Sequence, residues 1–175
     1  MGKIKLPPDF EDLSQEMKMT FYRGMILQAI TLLEATTEEI IAAFYCGHNQ
    51  ERKTAFIYYV LNKNYLTLGS KIEMLRFILE HYYPTEYDTK LLNKYEKMTT
   101  LRNRMAHEKY FRTSIHNKDN VGNPHIYHYS IDDKEFKVHN LELTTEYVTE
   151  KIETIREVNT YLGTTLSKMT SENPV

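Results

Sequence analysis

Six residues within nine positions carry side chains that phosphate chemistry uses: Arg102, Asn103, Arg104, His107, Lys109 and Tyr110. A histidine titrates near neutrality and can take or give a proton. An arginine offers a fixed fork of donors to phosphate oxygens. Together they suit cleavage of RNA by its own 2′-hydroxyl. That reaction needs a base for the hydroxyl proton, an acid for the leaving 5′-oxygen and positive charge for the phosphorane. In these terms His107 is the base or acid, Arg102 binds the phosphate, and Asn103 orients His107 or a phosphate oxygen. Arg104, Lys109 and Tyr110 are the candidates for holding substrate. The chemistry calls for no metal ion and no cofactor.

Helices must position these residues. Apolar side chains at Tyr22, Ile26, Ile30, Leu33, Ile40 and Phe44 recur every three or four residues and predict a first long helix over 12–46, stopped at Gly47. A short helix over 51–64 is expected to turn Phe56, Tyr59 and Val60 inward. Ile72, Leu75, Ile78 and Leu79 predict a helix over 68–83, closed by Pro84, with Lys71 capping or solvated at its start. The line Leu91, Tyr95, Met98 and Met105 predicts a helix over 87–107, so the candidate residues 102–107 occupy its last turns. Residues 126–130 and 135–139 alternate and predict a small hairpin, with His128 facing His139. Thr144 or Thr145 caps a last helix whose inner stripe is Val148, Ile152, Ile155, Leu162, Leu166 and Met169. The fold class is therefore all-α: an antiparallel four- to five-helix bundle with a small β-hairpin insertion before the last long helix. One domain over 1–175 is expected, with an irregular arm at 1–10, an insertion at about 109–143 and a polar tail at 171–175.

At 100° per residue Arg102 and His107 lie roughly 140° apart round a regular helix and share no face. Asn103 and His107 do share one. Arg102 instead continues the apolar line, where a buried arginine must be paired or face an interface. A composite site follows, in which a two-fold axis brings Arg102 of one copy to His107 of the other.

Leu101-Arg102-Asn103-Arg104-Met105-Ala106-His107 resembles the Arg-x4-6-His motif of the HEPN superfamily, including the Asn after the Arg and the Ala before the His. Upstream, Leu66-Thr67-Leu68-Gly69-Ser70-Lys71-Ile72-Glu73-Met74-Leu75 resembles the helix start common in that family. The resemblance implies a homodimer in which the two motif helices meet in one cleft. It implies a metal-independent endoribonuclease of a toxin–antitoxin or phage-defence system, with an antitoxin protein as a further partner. It equally admits a non-catalytic dimer that serves as an interaction or ligand-binding module.

Composition bounds these expectations. Hydrophobic residues at 41% and charged residues at 26% describe a globular chain rather than a disordered one. No apolar run approaches the roughly 20 residues of a membrane span, so no membrane role is expected. The N-terminus lacks an apolar signal core, and Cys46 stands alone, both of which point to the cytoplasm. Net charge is −2, yet residues 62–112 hold ten Lys/Arg against six Asp/Glu, a local surplus around the candidate site. No DNA specificity is expected. His116, His125, His128 and His139 lie too loosely for zinc. Plainer roles stand beside the chemical ones: an ion pair with Glu96 for Arg102, an inter-helix hydrogen bond for Asn103, and a favourable place at a helix C-terminus for His107.

Overall fold

The computed structural model describes residues 4, 6–63, 66–107, 123–132 and 135–172. They are mostly helical, with one two-stranded antiparallel sheet among the described residues. Helix α1 spans Gln15–Cys46, α2 Gln50–Phe56, α3 Leu68–Tyr82 and α4 Thr89–His107. Strands β1 (His125–Asp132) and β2 (Glu135–Glu142) follow, and α5 spans Thr145–Glu172. The expected helices and hairpin are all present, with ends shifted by a few residues.

Local chemistry accounts for the ends. Gly47 closes α1 at φ +59°, a left-handed conformation that suits glycine. Thr67 caps α3 by accepting from Ser70 N at 3.2 Å, and Thr144 caps α5 by accepting from Tyr147 N at 3.0 Å. In the hairpin His128 lies opposite His139, as the alternation predicts.

The short second helix departs from expectation. After α2 the backbone widens into a π turn over Ile57–Leu61, where Asn62 N donates to Ile57 O at 2.9 Å. A wider turn rotates each residue by less than 100°. Tyr59 is consequently 64% exposed and Val60 faces out, while Lys53 and Leu61 are buried.

The described residues divide into two compact units, and α1, α4 and α5 each contribute to both. The first unit lies within Met1–Gln28 and Leu101–Glu153. Its core includes Phe10, Met19, Tyr22, Leu101, Met105, Ile126, Val148 and Ile152. Phe10 packs against Phe21 and Tyr22 with ring centroids 5.3 and 5.1 Å away. The Tyr22 and Thr145 hydroxyls bond at 2.7 Å, joining α1 to the start of α5. The hairpin base is tied by Leu143 N donating to Pro124 O at 2.8 Å.

The second unit lies within Ala29–Thr100 and Thr154–Val175. Its core includes Ile30, Leu33, Ile40, Leu75, Ile78, Tyr95, Val158 and Leu162. The Thr37 and Tyr95 hydroxyls bond at 2.8 Å inside it. Lys71 corrects the expectation of a capping or solvated residue. It is only 3% exposed, and its Nζ donates to Glu34 Oε1 at 2.6 Å and Glu38 Oε1 at 2.5 Å. With Thr67 already capping α3, the lysine turns inward to the carboxylates of α1, which lie one turn apart. Burial pulls its ammonium pKa down, but the two carboxylates outweigh that and hold it above the ordinary value.

Candidate functional site

Helix α4 carries the candidate residues, and its start is well anchored. Asp88 Oδ1 accepts from Lys90 N at 2.8 Å and Leu91 N at 3.0 Å, satisfying two of the donors a helix start leaves open. Leu92, Tyr95, Met98, Leu101 and Met105 then form the buried stripe. That stripe fixes which way the last two turns point.

Asn103, Ala106 and His107 fall on the side away from the stripe and are exposed. Asn103 and His107, four residues apart, thus share a solvent-facing side. Arg102 and Arg104 occupy the two flanks and are half-buried. Arg102 was expected to continue the buried line. Leu92 and Leu101 instead join Tyr95, Met98 and Met105 in that line, Leu91 and Arg102 are left half-buried, and Arg102 Nη1 donates to Asn103 Oδ1 at 3.3 Å. The bond is long for a charge-assisted one. Glu96, the suggested ion-pair partner of Arg102, accepts from Arg76 Nη2 at 3.0 Å. Asn103 engages Arg102, and His107 closes the helix as its last residue. Lys109 and Tyr110 lie outside the described residues.

Arg104 lies near Tyr147, in the first turn of α5. Burial pushes the Tyr147 hydroxyl pKa up, against the opposing pull of Lys151 and Arg104. Lys151 Nζ sits 4.9 Å from the centroid of the Tyr147 ring and bonds Glu150 Oε1 at 2.7 Å. One cation, Lys151, thus lies over the Tyr147 ring, and a second, Arg104, is close enough to act on its hydroxyl electrostatically. Tyr147 and Lys151 were not candidates from sequence. Their spacing of four on a helix was a usable signal, but their electrostatic link to Arg104 joins segments far apart in the chain.

The arrangement presents Arg102 and Arg104 on α4, Tyr147 with Lys151 over its ring on α5, and the exposed imidazole of His107. Among the described residues there is no group of three or more His, Cys, Asp or Glu arranged to hold a metal ion, and no helix long and apolar enough to cross a membrane. Comparison with protein-family models, with curated proteins and with solved structures found no match.

Proposed function

We propose that the chain is a HEPN-type endoribonuclease that needs no metal ion and acts at a site completed by a second copy. The supporting observation is the last turn of α4, where Asn103 and His107 face solvent together and Arg102 bonds Asn103 at 3.3 Å. His107 takes the proton of the 2′-hydroxyl, whose oxygen attacks the adjacent phosphorus. The bond to the 5′-oxygen breaks, and the His107 imidazolium of the second copy returns a proton to it. Arg102 neutralises the phosphorane. The products are a 2′,3′-cyclic phosphate and a free 5′-hydroxyl. Arg104 and Lys151 hold flanking phosphates, and Lys109 and Tyr110 belong to the same substrate-binding reading. A cytoplasmic toxin or phage-defence role, with an antitoxin partner, goes with it.

The test is incubation of wild type and His107→Ala with total RNA and labelled tRNA in EDTA, with product ends analysed. The expected result is cyclic-phosphate ends from the wild type alone. Cleavage by well-purified His107→Ala protein sinks the proposal. One observation favours a second reading, a non-catalytic dimer serving as an interaction module: Arg102 and Asn103 bond each other, an arrangement that needs no substrate. That reading expects no cleavage by either protein, and a weaker dimer for Arg102→Ala.

A further inference from the structure

We infer that the second unit binds a small organic cation of the quaternary or methylated ammonium class, in a cleft of about 400 Å³ where the ends of three helices meet. The end of α1 contributes Phe44 and, just past it, Gly47 and His48. The end of α3 contributes Tyr82 and Tyr83. The end of α5 contributes Met169 and Thr170.

All three helices present their C-termini. Each such end carries roughly half a negative charge, from carbonyl groups without partners inside the helix. Proteins usually offset this with Lys, Arg or His in the last turn. The last turns of α1 and α5 contain none. That of α3 contains His81, whose ring stacks on Phe77 at 4.5 Å, and His81 does not line the cleft. Lys168 of α5 is held by both carboxylate oxygens of Glu86 at 2.8 Å. The nearby N-terminus of α2 would oppose the field, but Asn49 Oδ1 caps it by accepting from Arg52 N at 2.9 Å. Three helix C-termini therefore turn their negative ends toward the cleft; no Asp or Glu is among its described lining residues, and His48, just past the end of α1, is its one basic side chain.

The walls narrow the ligand class. Phe44 and Tyr82 stand with centroids 4.7 Å apart and planes at 59°, so they form two adjoining walls rather than a stack. Tyr83 adds a third ring. Aromatic faces attract cations through their quadrupole, and most usefully cations that water holds weakly. A metal ion would demand oxygen ligands in place of its hydration shell, and no carboxylate lines the cleft. A quaternary ammonium gives up little hydration, and the cleft sets three aromatic rings and three helix ends around it.

Choline is the probe, titrated into the isotope-labelled full chain and followed by NMR. Its control is the neutral isostere with a tert-butyl group in place of trimethylammonium. Choline is expected to give saturable shifts at Phe44, Gly47, Tyr82 and Tyr83, with the isostere binding about 5-fold or more weakly. Tyr82, 57% exposed, can be changed without opening the core. Tyr82→Ala is expected to weaken choline about 3- to 10-fold, and Tyr82→Phe to retain it. Thr170→Lys places a cation at the exposed end of α5 and is expected to weaken choline but not the isostere, with unchanged thermal stability. Equal affinity for choline and its isostere, shifts absent from these four residues, or indifference to Thr170→Lys overturns the proposal.

Discussion

Replacing Lys71 by methionine keeps the length and apolar stem of the side chain and removes its charge. The side chains of Lys71, Glu38 and Glu34 are 4%, 10% and 26% exposed. Removing one partner of a buried ion pair costs about 3–5 kcal/mol, because the other charge stays behind without compensation. Here Glu34 sits at the rim and can turn to water, whereas Glu38 cannot. The loss should therefore fall near the lower limit, about 3 kcal/mol. With a urea m-value of about 2 kcal/mol/M, the midpoint drops by about 1.5 M. Far-UV circular dichroism against urea measures it. The variant Lys71→Met/Glu34→Gln/Glu38→Leu, which removes all three charges, should return to within about 1 kcal/mol of wild type. The pH dependence has a definite sign. The folded-state pKa of Lys71 is raised above its unfolded value, so the full contribution is present below about pH 10.4 and is lost as the pH rises through the folded value. The gap between wild type and Lys71→Met should thus be flat from neutrality to that point and close in stronger alkali. A loss under 1 kcal/mol at pH 7 would refute the view that these charges are sealed from water.

Asp88→Ala removes the carboxylate that accepts from Lys90 N and Leu91 N and should cost about 1 kcal/mol, read as a lower melting temperature. Gly24→Ala should stabilise by about 0.5–1 kcal/mol, since a Cβ there meets nothing within 4 Å and the residue is exposed in mid-helix; urea unfolding measures the gain. Under the ribonuclease reading, Lys151→Ala should weaken RNA binding at every sequence and reduce the slope of log affinity against log salt by about one, as followed by fluorescence anisotropy.

Much of the architecture was legible because it depends on near neighbours in the chain. The spacing of Tyr22, Ile26, Ile30 and Leu33 set the buried face of α1, and all four are buried. Alternation around His128 and His139 predicted both the hairpin and its register, since side chains in a strand switch faces at every residue. The 100° rule likewise put Asn103 and His107 on one side of α4 and Arg102 off it.

Where several segments compete for the same space, tertiary structure decided. No periodicity signals the π turn after α2, and that turn reversed the facing of Tyr59 and Val60. Lys71 looked like a residue at the start of a helix, but it is buried against two acids, and those acids are 33 and 37 residues away. Arg104 acts electrostatically on Tyr147 only because the end of α4 and the start of α5 are folded into the same unit. The cleft with its three helix ends belongs to no single stretch of chain. Sequence by itself determined which side of the long helices is apolar, because that is a matter of local period. Which charges are buried and which helix ends converge are settled by long-range packing.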